Sequence, residues 1–153
     1  MPPYQHVIVP LDASSRDASA LDVATSTAAR TGAGITLVLP RTGAVGTRLR
    51  EFAAGTDMAP PDAAEHYVEE AAATLRQRHV GAEAVSWPSD DAVGDIAWYA
   101  GQHGATLILL VSERPADRKG WRRGIAEQVA TLSKVPVLVV PPEAIVAAAT
   151  LAA

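Results

Sequence analysis

The sequence of 153 residues contains no cysteine. Disulfide bonds, cysteine-ligated zinc and thiol catalysis are therefore excluded, although the missing cysteine does not identify the compartment. Positive charge is also in short supply, because the net charge is -4 and the isoelectric point is near 5.5. The chain thus offers no overall cationic field for nucleic acid, and we expect no nucleic-acid partner.

Long apolar runs are missing as well. The longest one outside the predicted strands, residues 144–153, is far shorter than the roughly 20 residues that span a membrane. The N-terminal residues have neither a basic region nor a long apolar stretch, so we expect no signal peptide, no membrane contact and a cytoplasmic location. With 48% hydrophobic residues, the chain is expected to form a single globular domain.

Two unbroken apolar runs dominate the C-terminal half. They are Thr106-Leu-Ile-Leu-Leu-Val111 and the run that starts at Val135 and ends at Val140. Runs without polar alternation are typical of strands buried on both faces, as in parallel sheets between two helical layers. Such sheets bind ligands beyond the carboxyl ends of their strands. We therefore expect a small molecule near residues 112–124, which join the first run to the next helix.

Shorter strand and helix patterns alternate along the rest of the chain. Strands are predicted at residues 6–11, 35–39 and 82–87, and helices after Ser14 or Ser15, from Pro60, and after residues 88–91. The first helix is predicted to bury the stripe Ala18, Leu21, Ala24 and Ala28. Asp62 is predicted to cap the helix that starts at Pro60. Residues 41–61 are expected to form a loop with room for a short helix at 47–54.

Strands that alternate with helices predict right-handed crossovers and a parallel sheet covered on both faces. We therefore predict a three-layer α/β/α sandwich around a five-stranded parallel sheet, which is a Rossmann-like fold. One domain over residues 1–142 accounts for these elements. Residues 143–153 are predicted to be an alanine-rich C-terminal tail.

Four passages follow one another in an order and spacing that are more specific than any one of them. They are Val7-Ile-Val-Pro-Leu-Asp-Ala-Ser14 with the alanine-rich helix after it, residues 81–103, Ala105-Thr-Leu-Ile-Leu-Leu110, and Val135-Pro-Val-Leu-Val-Val140. Together they resemble the universal stress protein family, which belongs to an adenine-nucleotide-binding α/β superfamily. The resemblance covers nearly the whole chain.

Nucleotide-binding members of that family carry a glycine motif, G-x2-G-x9-G-[ST], after the fourth strand. Aligned on Gly124, this motif places Val111 and Arg114 at its first two glycines and Ile125 at its hydroxyl position. Glycine lets the backbone approach phosphates at positive φ, whereas valine disfavours that conformation and Ile125 has no hydroxyl. The resemblance therefore implies a member with a degenerate ATP site.

Asp12 occupies the position that contacts adenosine in that family. An aspartate at a strand-to-helix turn is equally suited to cap the helix, so both interpretations remain open. A retained nucleotide site would also use the backbone around Leu39.

Basic residues are concentrated between residues 112 and 124. They are Arg114, Arg118, Lys119, Arg122 and Arg123, with Trp121 among them. Arginine side chains can hold a phosphate in place of backbone amides, but a solvated charged loop explains the same composition. Trp121 could stack on a base, but packing on the neighbouring helix is the role we favour.

No residues have catalytic or metal-binding spacing. The four histidines are scattered, and no serine lies in a G-x-S-x-G context. We therefore expect a protein that is not an enzyme and binds no metal.

The strand from Val135 to Val140 has an apolar edge that favours pairing with a second copy. Members of the resembled family commonly dimerise through this strand, which implies a homodimer here. The first hypothesis is thus a non-enzymatic stress-response or regulatory homodimer without a cofactor, acting through an unidentified protein partner. The alternative is an ATP or AMP sensor that uses Asp12 and the arginine-rich loop 112–124.

Overall fold

The structure is a computed structural model that describes residues 5–111 and 124–140. Five strands and five helices follow one another in these residues: β1 (His6–Pro10), α1 (Arg16–Thr31), β2 (Gly34–Arg41), α2 (Gly43–Phe52), α3 (Pro60–Gln77), β3 (Ala82–Pro88), α4 (Ala92–Gln102), β4 (Leu107–Val111), α5 (Ile125–Leu132) and β5 (Val137–Val140). None of the described helices is both long and apolar enough to cross a membrane. The predicted tail lies outside the described residues.

All five strands run parallel in the order β3-β2-β1-β4-β5. The central strand β1 pairs with β2 on one side and with β4 on the other. The chain first builds the sheet outward through β2 and β3, and then returns across β1 to add β4 and β5. The boundary between β1 and β4 is therefore the switch point of the topology, where open α/β sheets bind ligands.

The two faces of the sheet carry separate hydrophobic cores. Along β1, Val7 and Val9 point into the core under α1, α2 and α3, whereas Ile8 points into the core under α4 and α5. All three side chains are fully buried, as the unbroken apolar run predicts for a strand between two helical layers. The predicted three-layer α/β/α sandwich with a five-stranded parallel sheet is confirmed.

Helix α1 buries a different stripe at its start from the one predicted. Ala18 is exposed, whereas Asp17 and Ala20 are buried ahead of Ala24 and Ala28. The rotation is explained by Asp17, whose carboxylate turns inward to accept hydrogen bonds from the preceding turn. A pattern based on hydrophobicity alone places such a residue on the solvent side.

Two helix starts also differ from prediction. Helix α2 begins at Gly43, ahead of the expected 47–54, because the Thr42 hydroxyl accepts a hydrogen bond from the Val45 N–H at 3.3 Å. The predicted cap Asp62 is wrong, since α3 begins at Pro60 and Asp62 lies within its first turn. There its charge still favours the helix dipole, while proline supplies a suitable φ for the first position.

Candidate functional site

A cleft of about 150 Å³ opens at the carboxyl ends of β1, β2 and β4, beside the switch point. Its lining divides into two parts. The polar part contains Asp12, Arg16, Asp17, Thr42 and Arg48. The apolar part includes Ile96, Leu110, Val111, Ile125 and Ala126. Apolar residues also line the side of β1 and β2, namely Pro10, Leu11, Ala20, Pro40, Ala44 and Val45, so the charged groups lie on one side whereas hydrocarbon surrounds the cleft.

The turn between β1 and α1 forms the polar wall of the cleft. Ala13 adopts a positive φ of 63°, which is uncommon for a residue other than glycine. The carboxylate of Asp17 holds this turn by accepting hydrogen bonds from the backbone N–H of Ala13 at 2.8 Å and of Asp12 at 3.2 Å. The hydroxyl of Tyr67, on α3, donates to the same carboxylate at 2.7 Å. One side chain of α1 therefore fixes the wall against α3.

Burial raises the pKa values of both Asp17 and Tyr67. Asp17 is only 6% exposed, and its burial raises the pKa of its carboxyl to about 6. The hydrogen bond from Tyr67 opposes this rise, and the neighbouring charge of Asp12 adds to it. Burial, followed by the hydrogen bond to Asp17, raises the pKa of Tyr67 as well. The tyrosine therefore remains a hydroxyl donor at neutral pH.

Asp12 already has partners for both of its carboxylate oxygens. Oδ1 accepts from the Ser14 N–H at 3.0 Å, and Oδ2 accepts from Arg16 Nη2 at 2.6 Å. Arg48 Nη1 lies 3.5 Å from the same Oδ2 and donates to the backbone carbonyl of Asp12 at 2.9 Å. Burial alone would raise the pKa of Asp12, but the hydrogen bond from Ser14 and the charge of Arg16 outweigh it and lower that pKa. Asp12 is therefore a carboxylate at neutral pH.

These contacts bear on the two interpretations of Asp12. Its side chain holds the Ser14 N–H, two residues ahead, and so stabilises the turn before α1. The residue at the cap position itself is Ser15, which makes no side-chain cap hydrogen bond. Asp12 also lines the cleft, so the local role and a place in the ligand site coincide.

The other predicted site residues are distributed as follows. Val111 and Ile125 line the apolar part of the cleft, and Gly124 lies next to it as the residue before α5. Leu39 is fully buried and its carbonyl accepts from the Ser86 hydroxyl, whereas its neighbour Pro40 lines the cleft. Arg114 and the rest of residues 112–123 lie outside the described residues.

Four residues of the site were not anticipated from the sequence: Arg16, Asp17, Arg48 and Tyr67. The first two begin α1, directly after the acceptor-rich turn, where the spacing between Asp12 and Arg16 was the available signal. Arg48 and Tyr67 come from α2 and α3 and reach the turn only through the tertiary fold. Among the described residues, no group of three or more side chains could hold a metal ion.

An open parallel sheet with a cleft at its switch point defines an α/β protein of the doubly wound, Rossmann-like type. The model of the universal stress protein family matches residues 3–141, and the chain therefore belongs to that family. None of the curated proteins matches this chain.

Several solved structures are similar to the chain throughout its length. One is a universal stress protein in complex with cAMP, at 20% identity and a TM-score of 0.67, covering 90% of this chain and 97% of that one. Another is the universal stress protein from Archaeoglobus fulgidus in complex with dAMP, at 21% identity and a TM-score of 0.60, covering 89% of this chain and 97% of that one. A third is an Arabidopsis thaliana family member with AMP bound, at 13% identity and a TM-score of 0.63, covering 90% of this chain and 91% of that one. At these identities the likeness establishes the fold alone.

Proposed function

We propose that this universal stress protein is a non-enzymatic regulatory or stress-response homodimer with an altered nucleotide site. The observation that carries the proposal is the state of Asp12, whose two oxygens are held by Ser14 and Arg16. A ribose hydroxyl would have to share an oxygen with one of these donors, and the contact with Arg16 is already charge-assisted. The cytoplasmic location and an unidentified protein partner belong to this proposal as expectations from the sequence.

The opposite part of the cleft supports the same proposal. Val111 and Ile125, which replace a glycine and a hydroxyl residue of the family motif, both line the cleft. Their side chains place hydrocarbon where the motif would bring backbone amides and a hydroxyl to a phosphate. A phosphate beside them would lose hydration without gaining hydrogen bonds in return.

The two sheet edges differ in a way that supports dimerisation through β5. At the edge strand β3, Arg76 Nε donates to the carbonyl of Ala82, and Pro88 ends the strand. Charged side chains and proline are common protections of an edge against pairing. Strand β5 contains only valine and leucine, and its Leu138 is 47% exposed. A second copy paired along β5 would cover this apolar side chain.

An ATP or AMP sensor is the second candidate. It is supported by the similar structures that are complexes with cAMP, dAMP and AMP, and by the cleft at the switch point that contains Asp12. In this case Asp12, the backbone near Leu39 and the loop 112–124 with Arg114 would hold the nucleotide. The arginines of the loop would replace the missing glycine amides.

Isothermal titration with ATP and AMP, with and without magnesium, tests the two candidates. The comparison is with a variant that restores the motif, Val111→Gly, Arg114→Gly and Ile125→Ser. A matched control, Val111→Ala, Arg114→Ala and Ile125→Ala, removes the same side chains without supplying glycine or hydroxyl. We expect heat of binding only from the restored variant. Binding to the natural protein at micromolar ATP or AMP would refute the altered site and favour the sensor.

A further inference from the structure

The cleft combines charged side chains near β1 and β2 with apolar side chains all around, and this mixture indicates the kind of ligand that it can take. Ile96 and Leu110 are buried side chains of the apolar part, and Val111 and Ile125 extend it to the rim. Arg48 lines the same cleft from α2, near Asp12. A ligand that satisfies both parts needs an apolar body and a charged or polar head.

Of the two described cations that line this cleft, Arg16 and Arg48, the second is the more available to a ligand. Arg16 is the nearer partner of Asp12, at 2.6 Å, whereas Arg48 lies 3.5 Å from the same oxygen. In residues 5–111 and 124–140, the hydrogen bonds of the Arg48 guanidinium involve Nη1 alone. The remaining N–H groups form the planar fork that matches a carboxylate. The side chain is 40% exposed, so rotation toward a ligand requires little desolvation.

The size and charge of the cleft further restrict the class of ligand that can bind. A cavity of about 150 Å³ holds one benzene-sized ring, as an engineered apolar cavity of that volume in another protein does. Typical pockets for larger ligands measure about 300–1,000 Å³. Asp12 and Asp17 line the same cleft as Arg48, and their negative charge disfavours a ligand whose polar group carries two negative charges.

We propose that the cleft binds a small monocarboxylate with one apolar ring, its carboxylate on Arg48 and its ring against Val111 and Ile125. The proposal deepens the altered site proposed above and rests on it, because a bound nucleotide would occupy the same space. It assigns recognition to a side chain of α2, which is not part of the family's glycine motif.

Benzoate is the probe, and benzyl alcohol is its neutral counterpart of nearly the same shape. Titration followed by methyl NMR should show benzoate binding at millimolar or lower concentration, with shifts at Ile125 and Val111 and none at the exposed Leu132. Arg48→Ala should weaken binding by about tenfold or more, as should the change to benzyl alcohol. Arg50→Ala, which removes the same charge from the exposed side of α2, should leave the affinity unchanged.

The proposal is overturned if benzoate fails to bind up to about 10 mM. It is also overturned if Arg48→Ala, shown to be folded by circular dichroism, binds benzoate as the natural protein does, or if benzyl alcohol or phenyl phosphate binds better. ATP is titrated on the same samples. Micromolar ATP binding would refute the altered nucleotide site. The proposal of a monocarboxylate ligand is tested separately, by whether benzoate binding depends on Arg48.

Discussion

Ionisation of the buried Asp17 should reduce the stability of the fold as the pH rises. Its pKa in the folded protein is about 6, above the value of 3.8 for an unperturbed aspartate. Between these values the folded protein holds a proton that the unfolded chain has lost, so the free energy of unfolding falls as the pH increases. The difference corresponds to about 3 kcal/mol at 1.36 kcal/mol per pKa unit. This is a large share of the roughly 5–15 kcal/mol that stabilises a domain.

The substitution Asp17→Asn isolates this contribution, because asparagine stays neutral and can still accept from the Ala13 N–H. The comparison with a variant is needed because Asp12 acts in the opposite sense: its lowered pKa stabilises the fold above its unfolded value. Asparagine should weaken the fold most at pH 4. The difference in free energy of unfolding between the Asp17→Asn variant and the natural protein should then shift in favour of the variant by about 2 kcal/mol from pH 4 to pH 7.

Urea denaturation followed by circular dichroism at pH 4, 5, 6 and 7 measures this difference. Asp22→Asn, an exposed position on the same helix, is the control and should change by less than about 0.5 kcal/mol over the range. Tyr67→Phe should raise the pKa of Asp17 further, since the lost hydrogen bond favours the carboxylate. A carboxyl NMR titration of Asp17 with a midpoint below pH 4, or an Asp17→Asn difference that stays constant, would refute this reasoning.

Two further substitutions test the edge of the sheet and a helix cap. Leu138→Glu should convert the proposed homodimer into a monomer in light-scattering chromatography, because a charge would be buried at the paired edge. Leu132→Glu, at an exposed leucine on α5, should leave the proposed dimer intact. A Leu138→Glu dimer would exclude β5 as the interface. Asp91→Ala should lower the free energy of unfolding by about 1 kcal/mol in urea, because its carboxylate accepts from the Gly94 N–H at 3.1 Å. Asp90→Ala is its control, and equal losses at both positions would contradict a capping role.

The fold was predictable because its signals are local. The apolar runs at β1 and β4 are long enough to require burial on both faces, and Gly32 ends α1 with the left-handed φ of 73° that glycine permits. The start of α2 was missed because Thr42 lies in a segment rich in glycine and without clear apolar periodicity. The hydroxyl cap there becomes recognisable only once the helix is known.

The candidate site was predictable only in part, for a related reason. Asp12, Val111 and Ile125 could be placed because the resemblance to the family aligned them with its binding positions, and the carboxyl ends of parallel strands bring such positions to one edge. Arg48 and Tyr67 approach from helices that pack across the sheet, and their distance from the turn depends on packing angles that no local pattern specifies. Asp17 contradicts the hydrophobic pattern itself, since a buried carboxylate needs hydrogen-bond partners that are distant in the sequence.

In the polar wall of the cleft, the residues that hold the turn after β1 differ from the residue that we propose to bind a ligand. Asp17 and Tyr67 hold the turn after β1 from the interior, while Arg48 contacts the outer side of the same turn through the Asp12 carbonyl. The interior contacts are buried and carry the stability of the turn, whereas Arg48 is partly exposed and contributes little to it. Arg48 can therefore turn toward a ligand, or be replaced, while Asp17 keeps the turn in place. A loss of ligand binding in Arg48→Ala without a loss of stability, beside a loss of stability in Asp17→Asn at pH 4, is the combination that this division of roles requires.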